Sequence, residues 1–299
     1  MQAVLIHETG GPDVLHYEEA ERPEPGDGQV LIRVHAAAVN PTDWKSRRGL
    51  SEMRLPAVLG RDASGTVEVS RAEGFAEGED VFGYVPGGGY AEFALASADT
   101  IANKPAALSH EQAAALPVAG MTAWQALFDR GGLTRGQTAL IAGAAGGVGH
   151  LAVQFAKLAG ARVIGTGSSR NRDFVLGLGA DEYVDYTEQD VSQAVRGVDV
   201  AFDPVGGDTT EALVPTLREG GVLITIASAP PEEAARARGA SAQLLVMSPS
   251  SEQLTRIAEL VAGGEVRVEI SEVLPLTDVQ RAHELSESGH TRGKIVLTV

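Results

Sequence analysis

A glycine-rich stretch, Gly143 to Gly149 (GAAGGVG), stands between an apolar run at 138–142 and residues that repeat at helical spacing from Val148 onward. Glycines in a strand-to-helix turn let the backbone approach a phosphate, and the positive end of the following helix attracts its charge. In the dinucleotide-binding fingerprint, Gly146 would face the pyrophosphate and Gly149 would let the helix lie close to the strand. The loop therefore predicts a dinucleotide site held by Ala145, Gly146, Gly147 and Val148.

A second loop, after the predicted strand 162–166, carries hydroxyl and guanidinium groups and no acid before Asp173. NAD-specific sites place an Asp or Glu about 20 residues beyond the glycine loop, where it binds both ribose hydroxyls. Such a carboxylate would repel a 2′-phosphate, whereas hydroxyls and a guanidinium bind it through charge-assisted hydrogen bonds. The loop predicts NADP(H) rather than NAD(H), and leaves open which arginine reads the phosphate. The predicted contacts are Ser168, Ser169, Arg170 and Arg172.

The composition restricts the partners and the chemistry. Lys and Arg total 24 against 40 for Asp and Glu, a net charge of −16, so a nucleic-acid partner is not expected. The chain has no cysteine, which removes thiolate catalysis and sulfur-ligated zinc, and its 7 histidines show no pair at metal-ligand spacing. No Gly-x-Ser-x-Gly turn offers a hydrolase nucleophile. Without a signal-like N-terminus or a long apolar run, the expectation is a cytoplasmic protein.

Two patterns of elements must position these groups. Up to about residue 102, short strands separated by turns predict an antiparallel, barrel-like half. From about 111, strands alternate with helices, which predicts a parallel sheet covered on both faces, and after about 268 the first pattern returns. We predict domains at 1–112, 113–267 and 268–299, with 230–242 as a mobile connection. The predicted strands are 29–37, 64–69, 80–82, 90–95, 138–142, 162–166, 183–185, 198–203, 222–226 and 244–247.

Six stretches in order along the chain carry a family resemblance: Val39 to Lys45, Leu59 to Gly65, Ala113 to Leu127, Gly143 to Gly149, Asp203 to Gly207 and Thr291 to Lys294. In them the chain resembles the zinc-independent quinone oxidoreductase branch of the medium-chain dehydrogenases/reductases. The resemblance implies an α/β protein, with a GroES-like β-rich catalytic domain and an inserted Rossmann doubly wound parallel sheet. It also implies NADPH-dependent reduction. The chain looks shorter than most relatives in loops expected to line the substrate site.

The resemblance also bears on zinc. Zinc-dependent members of the wider family hold the metal with a cysteine near the position of Asn40 and a Gly-His-Glu segment near Gly60. Here the second segment reads Gly60-Arg61-Asp62. We therefore expect no catalytic metal, which suits quinones and conjugated enones, since hydride adds to an electron-poor system and charge delocalises to a distant oxygen.

Three residues are candidates for catalysis. Asn40 follows a strand and precedes Pro41, so its amide is expected to bind nicotinamide ribose or the substrate oxygen; the alternative is a turn cap. Thr122 is expected to cap a helix and, by resemblance, to contact the nicotinamide carboxamide. Lys45 is a candidate electrophile or proton route, with a solvated surface pair to Asp43 as the alternative.

Four further residues are candidates for cofactor contact. Val205 and Gly206 follow the strand ending at Asp203, at the edge where doubly wound sheets bind ligands, and would form the nicotinamide-side wall. The alternative is an ordinary turn. By resemblance, Tyr186 would flank the adenine end. The ammonium of Lys294 is expected near the cofactor, with a surface lysine as the alternative.

Together these features predict an NADPH-dependent oxidoreductase that passes hydride to a quinone or a conjugated enone or alkenal. A 2-enoyl-thioester reductase and a non-catalytic NADPH-binding sensor or structural protein remain as alternatives. The apolar strand at 244–247 would leave a bare sheet edge, and its pairing across a twofold axis predicts a homodimer, with a tetramer left open.

Overall fold

The computed structural model describes all 299 residues. The strands are β1 (Gln2–Ile6), β2 (His16–Glu19), β3 (Gln29–Val39), β4 (Ala57–Val58), β5 (Asp62–Ser70), β6 (Asp80–Tyr84), β7 (Phe93–Ser97), β8 (Ile101–Asn103), β9 (Thr138–Ile141), β10 (Arg162–Gly167), β11 (Glu182–Asp185), β12 (Val198–Asp203), β13 (Leu217–Thr225), β14 (Ser241–Leu244), β15 (Ile270–Pro275) and β16 (Lys294–Thr298). The α-helices are α1 (Pro41–Arg47), α2 (His110–Ala114), α3 (Pro117–Trp124), α4 (Gly149–Leu158), α5 (Arg172–Gly177), α6 (Val191–Ala194), α7 (Asp208–Leu213), α8 (Glu232–Arg236), α9 (Ser251–Ala262) and α10 (Val279–Glu287).

The chain divides into two compact units, and the first contains Met1–Met121 and Pro249–Val299. Its main sheet has the order β15-β16-β3-β5-β6-β8, with β7 also paired to β3, and a smaller sheet has the order β2-β1-β4. All pairs are antiparallel except β15 with β16, as the short runs between turns predict. The core lies between the sheets and α10, and includes Ile6, Ile32, Tyr90 and Ile295.

The second unit, Thr122–Ser248, contains a six-stranded sheet with the order β11-β10-β9-β12-β13-β14. Every pair in it is parallel, and β9 and β12 lie side by side at its centre. Numbered within the unit, the strand order is 3-2-1-4-5-6, that of a doubly wound nucleotide-binding sheet. The second and third strands are added on one side of the first strand and the later strands on its other side. The carboxyl ends of β9 and β12 are therefore the predicted place for a ligand.

The units meet at 121/122 and 248/249 along the chain, not at the predicted 112/113 and 267/268. The difference at the first boundary has a local cause: Nδ1 of His110 lies 2.9 Å from Oγ of Ser64, and the amide of Val118 donates to Asp62 at 2.8 Å. These contacts keep α2 and the start of α3 with the first unit. At the second boundary, α9 packs against β8 and so joins the first unit as well.

Two smaller expectations in the second unit are wrong. The predicted connection 230–242 contains α8 and the start of β14, because Glu232 to Arg236 consists of good helix formers. The last strand ends at Leu244 instead of beginning there. Its register with β13 runs from Ser241 to Leu244, and the amide of Leu245 donates one more hydrogen bond to the carbonyl of Thr225 at 2.8 Å, so only Val246 and Met247 of the apolar run lie beyond the ladder.

Candidate functional site

The glycine loop of the second unit connects β9 to α4. Gly143 has a φ of +53°, a left-handed conformation that favours glycine. A Cβ on Gly149 would lie 2.3 Å from the carbonyl oxygen of Gly143, so only glycine lets α4 begin this close to the loop. A Cβ on Gly146 would lie 3.3 Å from the same oxygen, a tight but less severe contact.

The backbone amides of this loop fall into two groups. The amide of Ala144 donates to the carbonyl of Thr166, and that of Gly146 to the carbonyl of Gly143, each at 2.9 Å. The amides of Ala145, Gly147 and Val148 donate to no acceptor within the chain. Uncommitted amides at the N-terminal end of a ten-residue helix form a cradle for an anion. The loop therefore fits the pyrophosphate of a dinucleotide.

The loop after β10 places the predicted 2′-phosphate contacts together. Ser168 is half-buried and precedes a short 3₁₀ turn at Ser169–Asn171, and Ser169, Arg170 and Arg172 are exposed. The guanidinium of Arg172 lies 5.4 Å from the ring centroid of Tyr183, whose hydroxyl donates to the carbonyl of Ser168 at 2.7 Å. Two hydroxyls and two guanidinium groups thus occupy one surface, consistent with a phosphate site.

Residues at the end of β11 border this loop. Tyr186 is 58% exposed, and its amide donates to the carbonyl of Gly167 at 3.2 Å. Asp185, which the sequence argument did not consider, is buried beside it and accepts hydrogen bonds from the amide and hydroxyl of Thr187. The Thr187 hydroxyl is the main cause that lowers the pKa of Asp185, with Arg172 adding to it. The acid is therefore ionised but turned into the protein.

Val205 and Gly206 form the turn that follows β12. One carboxylate oxygen of Asp203 accepts from the amides of Val205 and Gly206 at 2.9 and 3.0 Å, and Gly206 has a φ of +89°. A Cβ on Gly143 would lie 2.8 Å from Cγ2 of Val205, so this turn and the glycine loop are neighbours. Val205 is 54% exposed, which leaves its apolar side chain available to a ligand.

In the first unit, a buried polar cluster connects Asn40 with Lys294. Nζ of Lys294 donates to Oδ1 of Asn40 at 2.5 Å and to the carbonyl of Val39 at 3.3 Å. Nδ2 of Asn40 donates to Oδ2 of Asp62 at 2.8 Å, and Nζ of Lys294 lies 3.6 Å from the same oxygen. Because an ammonium only donates and a carboxylate only accepts, the orientation of the Asn40 amide is fixed.

Two further side chains complete this cluster, which we call the Lys294 cluster: Asn40, Asp43, Asp62, Tyr90 and Lys294. The carboxylate of Asp43 accepts from the amide of Asn40 at 2.8 Å and from the hydroxyl of Tyr90 at 2.9 Å. The second oxygen of Asp62 accepts from the amide of Val118, in the first turn of α3. Asp62 thereby holds the Asn40 amide and the start of α3 at once.

Burial dominates the electrostatics of the Lys294 cluster. It raises the pKa of Asp43 to about 6, although hydrogen bonds from the Asn40 amide and Tyr90 act in the opposite direction. Burial also raises the pKa of Asp62 and lowers the pKa of Lys294, and the attraction between the two partly offsets both shifts. The pKa of Tyr90 lies well above its ordinary value because the hydroxyl is buried beside Asp43.

The other two catalytic candidates lie outside this cluster. Lys45 is half-buried on α1, with Nζ 5.7 Å from the ring centroid of Trp44. The alternative of a solvated pair with Asp43 is wrong, because Asp43 is buried and bonded elsewhere. Thr122 is 5% exposed and lies inside α3, so the expectation that it caps a helix is also wrong. Its contact with a nicotinamide remains a prediction.

The sequence gives only weak indications of some contacts at the site. Asp43 stands three positions after Asn40, the spacing of a reciprocal helix cap, but nothing in the sequence marks Tyr90 as its partner. The histidines that look dispersed include two ring pairs, since the ring centroids of His35 and His110 are 4.5 Å apart and those of His7 and His16 are 6.1 Å apart. No group of three or more His, Cys, Asp or Glu side chains is placed to hold a metal ion.

None of the helices is long and apolar enough to cross a membrane.

Two family matches cover separate parts of the chain. Residues 26–106 match the family described as "Alcohol dehydrogenase GroES-like domain", and residues 178–297 match "Zinc-binding dehydrogenase". They correspond to the β-rich half and to the later part of the chain. The second description names a metal, whereas this chain has no cysteine and no metal-binding group.

Full-length comparisons are more specific. The mouse (Mus musculus) quinone oxidoreductase is 34% identical, over 99% of this chain and 97% of that protein. The structure of the quinone oxidoreductase from Coxiella burnetii superposes with a TM-score of 0.96 at 38% identity, covering 100% of this chain and 99% of the other. The Escherichia coli quinone oxidoreductase complexed with NADPH has a TM-score of 0.91 at 30% identity, with both chains covered completely.

The predicted GroES-like and Rossmann-like folds are thus confirmed. Together with these full-length matches, they place the chain in the quinone oxidoreductase family of the medium-chain dehydrogenases/reductases.

Proposed function

We propose that the protein is an NADPH-dependent reductase that transfers hydride to quinones and to conjugated enones or alkenals without a metal ion. The observation that carries the proposal is the pairing, in the second unit, of two anion sites. One is the cradle of uncommitted amides at Ala145, Gly147 and Val148, and the other is the guanidinium-bearing loop after β10. Together they match a pyrophosphate and a 2′-phosphate.

The residues of the second unit would hold the cofactor at four places. The cradle binds the pyrophosphate, Ser168, Ser169 and an arginine of the next loop bind the 2′-phosphate, and Tyr186 covers the adenine. Val205 and Gly206 form the wall beside the nicotinamide. NADPH, when bound, supplies a hydride from C4 of its nicotinamide ring.

The first unit would supply orientation and charge. Asn40 commits Oδ1 to Lys294 and one Nδ2 hydrogen to Asp62. The other Nδ2 hydrogen has only the carbonyl of Ala38 at 3.5 Å, which is long for a hydrogen bond, so this donor remains available to a ribose or substrate oxygen. The ammonium of Lys294 favours negative charge nearby. We assign Thr122 to the nicotinamide carboxamide and treat Lys45 as a route for protons to the reduced acceptor.

Reaction without a metal ion rests on proximity. Holding the hydride donor and the acceptor close together and correctly oriented accounts for a large part of the rate of hydride transfer. Conjugated acceptors need little polarisation because the negative charge that develops on them is delocalised. The net charge of −16 disfavours the anionic arm of an acyl thioester, which makes 2-enoyl-thioester reduction the less favoured activity.

Steady-state oxidation of NADPH tests the proposal. The chelator-treated protein is given 1,4-quinones, enones, 2-alkenals and crotonyl-CoA in turn. We expect turnover with quinones or enones that exceeds turnover with crotonyl-CoA. Higher activity with crotonyl-CoA would favour the thioester reductase, and tight NADPH binding with no acceptor reduced would favour a sensor.

A further inference from the structure

A cavity of about 230 Å³ lies wholly within the first unit. Its apolar wall includes Met53, Leu59 and Pro86, and Asp43 of the Lys294 cluster borders it. Pockets for drug-sized ligands usually measure about 300–1,000 Å³. This one therefore suits a molecule of a single ring more than an extended polycyclic one.

Arg61 is the only cationic side chain among the residues that line this cavity. One of its terminal nitrogens donates to the hydroxyl of Tyr84 at 2.6 Å, which holds that end of the guanidinium in place. No carboxylate oxygen lies within 4 Å of its nitrogens, so its charge is not neutralised by an ion pair. A guanidinium has five N–H donors, and Tyr84 takes one of them.

We propose that this cavity receives the carbonyl end of the electron acceptor and that Arg61 donates a hydrogen bond to the acceptor oxygen. The inference rests on the proposed function and deepens it, because it names single-ring quinones and enones as the acceptors that fit. Arg61 would then be a catalytic residue, since it touches the atom on which charge develops.

The chemistry balances with NADPH as the reductant. When the β-carbon of an enone takes up the hydride, a C–H bond forms there and the C=C electrons move to form an enolate. The carbonyl oxygen becomes negative, and the hydride carries both electrons of the C4–H bond of NADPH, which breaks to give NADP⁺. Arg61 stabilises this oxygen until the α-carbon takes a proton, which comes ultimately from water. Fixed donors aimed at such an oxygen act mainly in the transition state.

The carboxyl groups that border the cavity allow the effect of Arg61 on anion binding to be measured by itself. Asp43 and Glu52 also border the cavity, and a negative charge on either would disfavour an anion there. Any preference of the cavity for an anionic ligand must therefore come from Arg61. This gives the proposal a test that does not depend on turnover.

The first experiment compares Arg61→Met with wild type, using 2-cyclohexenone and 1,4-benzoquinone as acceptors. We expect kcat to fall about 100-fold, the loss typical of removing one oxyanion donor, with an unchanged Kd for NADPH. Arg61→Lys should recover part of the rate. The matched control is Arg54→Met, which removes an exposed arginine from the same region without touching the cavity lining, and should behave as wild type.

The second experiment uses 4-nitrophenol as a probe and no cofactor. At one near-neutral pH, wild type and Arg54→Met should raise the phenolate fraction of the bound probe, seen as increased phenolate absorbance. Arg61→Met should abolish the increase, while a Tm and a circular dichroism spectrum equal to those of wild type show that the variant is folded. If Arg61→Met matches Arg54→Met in probe binding and acceptor kinetics, or if wild type binds no probe, the assignment of Arg61 is overturned.

The two proposals fail in different ways. A wild-type protein that reduces no acceptor but binds phenolate through Arg61 would contradict the proposed function and keep the anion-favouring pocket. A wild-type protein that reduces quinones with no dependence on Arg61 would keep the proposed function and contradict the pocket assignment.

Discussion

Among single residues, Asp43 gives the clearest pH dependence. Its pKa is raised from 3.8 to about 6 in the folded chain, so the folded state holds this proton more tightly than the unfolded state. The resulting stabilisation is complete below about pH 4 and is lost as the pH rises through about 6. At neutral pH the buried charge thus costs about 3 kcal/mol relative to acid.

We expect Asp43→Asn to remove this dependence, because an amide oxygen can still accept from Asn40 and Tyr90. The free energy of unfolding of the variant, relative to wild type, should increase between pH 4 and pH 7. Urea unfolding at a series of pH values measures it, with the exposed Asp27→Asn as control. If the free energies of unfolding of wild type and Asp43→Asn change in parallel with pH, burial does not raise the pKa of Asp43.

The arginines after β10 carry the prediction about cofactor choice. Charge-assisted hydrogen bonds are worth roughly 1.5 to 3 kcal/mol, or about tenfold or more in affinity. Arg170→Ala should weaken NADPH binding by that factor and leave NADH nearly unchanged, measured by titration of each cofactor. The guanidinium of Arg172 lies over the ring of Tyr183 in the same loop region, so Arg172 is the other candidate for the phosphate contact. Arg172→Ala, measured in parallel, decides which of the two arginines binds the phosphate. Equal losses for both cofactors in both variants would contradict phosphate recognition here.

How far residues can be predicted depends on their separation in sequence. The candidates for the pyrophosphate and for the 2′-phosphate lie in two short loops, where local pattern and chemistry are enough to select them. The Lys294 cluster is different, because the contact between Lys294 and Asn40 joins residues 254 positions apart. Lys294 and Asn40 were each chosen singly, but no local signal showed that they contact each other or that Asp62 binds both.

At the level of elements, two glycines of the loop between β9 and α4 have different roles: Gly149 is needed for folding and Gly146 for binding. Gly149→Ala would place a methyl group 2.3 Å from a backbone oxygen, so we expect a loss of stability of at least about 1 kcal/mol. Gly146→Ala has a contact of 3.3 Å and should lower Tm far less, while its methyl group obstructs the cradle and weakens NADPH binding. Thermal unfolding and NADPH titration of both variants distinguish these effects. If both variants lose stability equally and bind NADPH normally, the cradle assignment is wrong.

Element boundaries were predictable where a strand ends in a turn and less so elsewhere. The strands β9, β10 and β12 match their predicted ranges to within a residue, because buried apolar runs there are bounded by glycine or by Asp-Pro. The predicted range of β14 is displaced because Val246 and Met247 continue the apolar run after the last hydrogen bond to β13, which the amide of Leu245 donates to Thr225. Apolar character marks burial or an interface, and cannot by itself locate the last hydrogen bond.

For the whole molecule, the open edge of the second unit supports the proposed homodimer. β14 is an edge strand; its last residue, Leu244, is 50% exposed, and Val246, two positions further along the chain, is 76% exposed. Light scattering should give twice the 31.1 kDa chain mass at micromolar concentration, and Val246→Lys should shift the population toward monomer. Val273→Lys is the control, since Val273 is 50% exposed on β15 of the first unit. A monomeric wild type would refute the dimer.

The alternation of strands and helices predicted the inserted parallel sheet and the return of the chain to the β-rich unit. It did not predict where the units divide, because α2 and α9 have ordinary helical patterns. Their assignment to the first unit depends on what they contact, namely Ser64 for α2 and β8 for α9. Such contacts are tertiary and produce no periodic pattern in the sequence.

The central claim is direct hydride transfer to a conjugated acceptor, and isotope transfer tests it most directly. NADPH carrying deuterium at C4, prepared separately with each of the two stereochemical labels, is oxidised by the chelator-treated protein with 2-cyclohexenone. Mass spectrometry and NMR of the product locate the label. We predict deuterium at the β-carbon of cyclohexanone from one of the two labelled forms. Absence of deuterium at that carbon with both forms, despite oxidation of NADPH, would contradict hydride transfer.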